Sequence, residues 1–96
     1  MVQEADAISL SLDDTVATVL RSIAVRETVR VRCGDDVHFV TATEPIPLCH
    51  KISVRPLAPG ELVRKYGEVI GEATETIEVG AHVHVHNMRS RRGRRA

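Results

Sequence analysis

The chain has 96 residues, no formal net charge, and Phe39 and Tyr66 as its aromatic side chains. That length suits one domain and excludes two, and so few aromatic rings offer no stacking surface for single-stranded nucleic acid. All 13 acidic residues fall between Glu4 and Glu78, and five of the 13 basic ones follow Met88. Residues 1–88 therefore carry a formal −5 and residues 89–96 a formal +5, a distribution unlike a nucleic-acid-binding face.

The opening MVQEADAISL has neither a basic segment nor a long apolar one, so no signal peptide is expected. Residues 7–12 alternate apolar and polar, which predicts a strand with one buried face. Asp13 or Asp14 is then placed to cap a short helix with Val16, Ala17, Val19, Leu20 and Ile23 on its inner side. Thr28 to Val31 and Val37 to Thr43 read as a hairpin turning at Gly34-Asp35-Asp36. Pro45 and Pro47 interrupt the pattern, and from Val54 short strands resume between Pro59-Gly60, Gly67, Gly71 and Gly80. Val, Ile, Leu and Ala must fill the core, with Val dominant, and β-branched side chains suit sheets. The expectation is a mainly β domain with one or two short helices over residues 1–88, followed by a disordered Arg-rich tail, 89–96.

A weak repeat runs through Ile23–Val31, Leu57–Lys65 and Ile77–Val85: an aliphatic anchor, a turn with Gly at its fourth place, then a strand. Gly60 and Gly80 suit a turn that needs positive φ. Arg26 replaces Gly in the first copy, so that turn is expected to differ.

Cys33 and Cys49 give no disulfide framework and no apolar run approaches the ~20 residues of a membrane span, which together predict a reduced, cytoplasmic protein with no membrane partner. Three groups of residues could carry chemistry. His82, His84 and His86 alternate with Val83 and Val85, so on a strand three imidazoles would share one face. Neutral imidazole serves as metal ligand or as acid/base near pH 7. Cys49-His50-Lys51 follows a proline-stiffened approach, and Lys65-Tyr66 adjoins the turn at Gly67; Lys, His and Tyr all suit a carboxylate.

Gly60-x-x-Val63-x-Lys65-Tyr66-Gly67-x-x-Ile70-Gly71-x-Ala73 followed by Ile77-x-x-Gly80-x-His82-Val83-His84-x-His86-Asn87 resembles the N-terminal SAF domain of altronate and galactarate dehydratases. His50-Lys51 stands where that family has Gly-His-Lys, with Cys49 in place of the Gly. The resemblance implies a SAF-type β-clip fold and the small subunit of a hydroxy-acid or sugar-acid lyase, similar to the small subunit of sulfolactate sulfo-lyase. Such a subunit would work beside a separate large catalytic subunit, be inactive alone, and could join a higher-order hetero-oligomer. It implies a divalent metal, commonly iron, held mostly by the large subunit, with His86 as one candidate ligand from this chain. His84 and His86 are the expected catalytic residues; His50, Lys51, Lys65, Tyr66 and Asn87 are the expected substrate-binding ones. The alternative is a non-catalytic SAF module that binds a carbohydrate or sugar acid.

Overall fold

A computed structural model describes residues 5–90, which form nine strands and, among those residues, no helix. The strands are β1 (Ala7–Ser9), β2 (Val16–Val19), β3 (Thr28–Cys33), β4 (Asp36–Thr41), β5 (Lys51–Ser53), β6 (Leu62–Lys65), β7 (Glu68–Ala73), β8 (His82–Val83) and β9 (Met88–Ser90). Six of them make one sheet in the order β4-β3-β1-β2-β5-β8, and the other three a sheet in the order β6-β7-β9. The β1–β3 pair is parallel and the remaining pairs are antiparallel.

The expected helix after Asp14 is the strand β2, which bonds to β1 on one side and β5 on the other. Both of its faces are buried. Ala17 and Val19 enter one apolar cluster with Val29, Val31 and Ile52, and Val16 enters a second with Val63, Ile77 and Val83. A strand covered on both faces has no period of two, so its apolar run mimics a short helical stripe. Asp14 does cap, but caps a loop. Its Oδ2 accepts the amides of Leu10 and Ser11 at 3.0 Å each, and its Oδ1 accepts Gly67 N–H at 2.7 Å. Burial pushes the Asp14 carboxyl up, yet the amides of Gly67, Ser11, Leu10 and Tyr66 together outweigh it and hold the group below its ordinary value. The loop also ends β1 at Ser9, short of the expected residue 12, and leaves Leu10 and Leu12 exposed.

The repeat is deeper than the three copies legible in the sequence. Ala24–Glu27, Pro47–His50, Ala58–Glu61 and Glu78–Ala81 are four turns, each closed by the fourth N–H donating to the first carbonyl. The third residue of each is left-handed: Arg26 (φ 73°), Cys49 (72°), Gly60 (88°) and Gly80 (93°). This is the type II turn. The expectation that Arg26 would change its turn is therefore corrected, because the flanking bonds hold the arginine in the glycine conformation. Ile23 and Ile46 exchange both backbone hydrogen bonds, as do Leu57 and Ile77. Arg26 N–H donates to Ala42 C=O as Gly60 N–H does to Ala73 C=O, and Cys49 N–H to Val19 C=O as Gly80 N–H does to Ser53 C=O. Two halves of one plan thus sit side by side, each with its own aliphatic cluster.

The last strand crosses the expected domain boundary. Arg89 pairs with Glu72 in the β7–β9 ladder, so the first arginine of the expected tail belongs to the sheet; residues 91–96 lie outside the described residues. Gly71 is required there, since a Cβ would run into the Arg89 carbonyl oxygen.

Gly80 is the more constrained of the two glycine corners: its φ is positive and a Cβ would collide with the Thr41 carbonyl oxygen. Gly80→Ala is expected to lower the unfolding free energy by more than about 2 kcal/mol. Cys49→Gly, which removes the left-handed penalty of a side chain, should leave stability unchanged or raise it by up to ~1 kcal/mol. Denaturant unfolding of both variants checks this; a Cys49→Gly protein less stable than Gly80→Ala would contradict it.

Candidate functional site

The β5–β8 ladder pairs Lys51 with Val83 and Ile52 with His82, so the next position sets His50 opposite His84. Their rings stack with centroids 4.4 Å apart. His50 Nδ1 lies 2.8 Å from His82 Nε2, and His82 is 5.5 Å from His84 and 5.4 Å from His86 between centroids. Four imidazoles, three of them expected as a strand face and one from a separate motif, form one cluster.

The expected strand through His86 stops at Val83. His84 to Asn87 is a turn, closed by Asn87 N–H on the His84 carbonyl at 3.1 Å. Asn87 is buried; its Oδ1 accepts His84 N–H at 3.0 Å and its Nδ2 donates to His82 C=O at 2.9 Å. A short polar side chain that bonds nearby backbone competes with a ladder. The ladder also has nothing to continue on, because β5 is preceded by the turn at Cys49. Val85, which alternates with the histidines in sequence, is 79% exposed.

Burial, then the neighbouring His50, His86 and His84, hold the His82 imidazole below its ordinary value, against an opposing pull from Glu44. Burial, His50, Lys51 and His86 do the same to His84. The 2.8 Å contact has room for one proton between His50 and His82, which requires one ring nitrogen to be bare. Rings in this state are metal ligands or proton acceptors. The ligating atoms of His50, His82 and His84 lie within 4.8 Å of one another, as do those of Glu44, His82 and His86. Three imidazole nitrogens fit a first-row divalent ion.

The structure brings His50, His82, His84 and His86 together, and Lys51 is near enough for its charge to act on His84. Asn87 is the clamp of the turn. Lys65 and Tyr66 sit at the tip of the β6–β7 hairpin, with the Lys65 ammonium 5.1 Å from the Tyr66 ring centroid and the tip held against Asp14. Among the described residues no hydrogen bond, ion pair or ring contact joins that tip to the imidazoles. Sequence reasoning missed Glu44, whose Oε2 accepts His82 N–H at 3.0 Å; nothing in its sequence surroundings marks it. With Glu75, Glu78 and His86 it lines a cleft of about 350 Å³ beside the cluster. No helix of the described residues is long and apolar enough to cross a membrane.

The sequence model of the altronate/galactarate dehydratase SAF domain matches residues 5–91. (2R)-sulfolactate sulfo-lyase subunit alpha of Paracoccus pantotrophus is 43% identical over 53 residues, 55% of this chain and 79% of that protein. The subunit of the same name from Chromohalobacter salexigens is 45% identical over 49 residues, 51% of this chain and 52% of that protein. Altronate dehydratase of Escherichia coli is 38% identical over 77 residues, 80% of this chain but 15% of that enzyme.

The imidazoles also set a pH response. His82 and His84 titrate below the ordinary 6.5 in the folded chain, so the unfolded chain takes up protons first. Stability of the metal-free chain should be full above about pH 6.5 and decline as pH falls towards the folded-state values. Denaturant midpoints in chelator, compared between about pH 7.5 and 5.5, are expected to fall in the wild type and to fall less in His82→Gln. An equal fall in both would remove the imidazoles as its source.

Proposed function

The chain belongs to the altronate/galactarate dehydratase SAF domain family, and from that membership we propose that it is the small component of a hydroxy-acid or sugar-acid lyase working beside a separate large catalytic subunit. The observation that carries this is the half-open imidazole cluster at the β5–β8 edge with the Lys51 ammonium near it. The relatives named as subunit alpha of a sulfo-lyase support a two-part arrangement. Cytoplasmic placement and an assembly of several copies of both subunits belong to the same proposal.

The reaction removes a proton α to a carboxylate and expels hydroxide or sulfite from the β carbon, and the resulting enol becomes a keto acid. This chain supplies charge and proton carriers at one wall of the site. Lys51 pairs with the substrate carboxylate. The acid approaches from the His50–Lys51 side, because Glu44, Glu75 and Glu78 repel an anion from the neighbouring cleft. His86, exposed at the turn, is the group freest to carry a proton to or from substrate. His84, packed on His50, holds the ring array in place and is the second candidate. Lys65 and Tyr66, on a different hairpin, would reach substrate across the partner's surface. The divalent ion, iron by family resemblance, belongs mostly to the partner, with the imidazoles of this chain as added ligands; when bound it stabilises negative charge on the carboxylate.

Reconstitution tests the proposal. The purified chain should show no turnover on a panel of hydroxy acids, and activity should appear when the large subunit is added. Turnover by the chain alone would refute the division of labour; tight binding of a sugar acid with no partner and no turnover would favour the stand-alone binding module.

In the assembled enzyme His86→Ala should lower turnover by ~10²-fold while the complex still forms. Near-normal rates for both His84→Ala and His86→Ala would leave the imidazole face a docking edge.

A further inference from the structure

We propose that this chain by itself binds one first-row divalent transition-metal ion, of the zinc kind, between the imidazoles of His50, His82 and His84. The inference stands apart from the lyase proposal, since it requires neither substrate nor partner.

The three ligating nitrogens lie within 4.8 Å of one another, with His50 Nδ1 and His82 Nε2 at 2.8 Å. A tetrahedral ion with metal–nitrogen bonds of ~2.0–2.1 Å sets its ligands about 3.3–3.4 Å apart. Entry therefore asks the close pair to part by about half an ångström and the stacked His50 and His84 rings to turn until their lone pairs converge on the ion. The ion takes the place of the proton between His50 and His82. The three residues are each only half-buried, so a fourth coordination position faces solvent, as in zinc sites that keep a water.

The backbones of all three ligands are fixed without any metal. His50 ends a closed turn, its N–H on Pro47 C=O at 3.0 Å, and its carbonyl accepts Val19 N–H at 2.9 Å. His82 N–H is held by Glu44, His82 C=O by Asn87 Nδ2, and His84 N–H by Asn87 Oδ1. Ligands whose backbones are already ordered lose less freedom on binding. Imidazole donors select zinc, copper, nickel or cobalt over magnesium and calcium. The competing set, Glu44 with His82 and His86, has one imidazole fewer, an exposed His86, and a carboxylate already engaged by His82 N–H.

The test uses the full chain without an affinity tag, stripped with chelator and titrated with zinc chloride by calorimetry, then with Co²⁺ by absorption. One ion per chain should bind, and Co²⁺ should show tetrahedral d–d bands without thiolate-to-metal charge transfer. His50→Asn, His82→Asn and His84→Asn should each weaken Zn²⁺ binding by ~100-fold or more, while Glu44→Gln and His86→Asn change it by less than about threefold. Cooperative unfolding of each metal-free variant confirms that it folds; if His82→Asn does not, the His50 and His84 variants still decide. No saturable 1:1 binding, losses confined to Glu44→Gln and His86→Asn, or a thiolate band in the cobalt spectrum would each overturn the assignment.

Discussion

The third residue of each of the four turns enters the left-handed region, and the strand pairings around both cores depend on those corners. A type II turn reverses the chain tightly enough for the following strand to leave at once, which suits a protein whose strands are two to six residues long. Two corners use glycine. The other two force a side chain into a conformation that costs about 1–2 kcal/mol each, and hydrogen bonds from Arg26 to Ala42 and from Cys49 to Val19 hold them there. Small aliphatic cores, with no aromatic ring in either, leave little reserve against losing such a corner.

The same constraint builds the candidate site. Cys49 is the residue before His50, so its left-handed conformation aims His50 at the end of β8. Antiparallel register then sets His50 against His84, and Asn87 folds the chain back so that His86 returns towards His82. Partial burial and then the neighbouring charged groups hold His82 and His84 below their ordinary values, which favours the form that binds a metal or accepts a proton. The cluster thus has an acidic cleft beside it, and the charge of Lys51 acts on His84.

Much of this was legible in the sequence. β-branched composition indicated sheet, Gly34 located the β3–β4 hairpin, Gly60 and Gly80 located two corners, and the histidine motif carried the family resemblance. What was hidden has physical reasons. β2 reads as helical because both of its faces are covered by apolar clusters. The turn at Cys49 was masked by Pro45 and Pro47, which read as interruption, and by a cysteine where glycine is usual. The union of His50 with His82 joins residues 32 positions apart, and register between strands that distant is not written in local pattern. Lys65-Tyr66 looked like part of the same site because it shares a motif with the histidines, yet its hairpin points to Asp14.

The Cys49 corner delivers His50 onto the β8 imidazoles. Nuclear Overhauser contacts between ring protons of His50 and His84, recorded on the metal-free chain at neutral pH, test it most directly. A clear His50–His84 ring contact is expected in the wild type. That contact should be lost in Cys49→Val, whose β-branched side chain resists the left-handed conformation, while contacts between Lys51 and Val83 persist. A wild-type chain with the Lys51–Val83 contacts but no His50–His84 ring contact would contradict it.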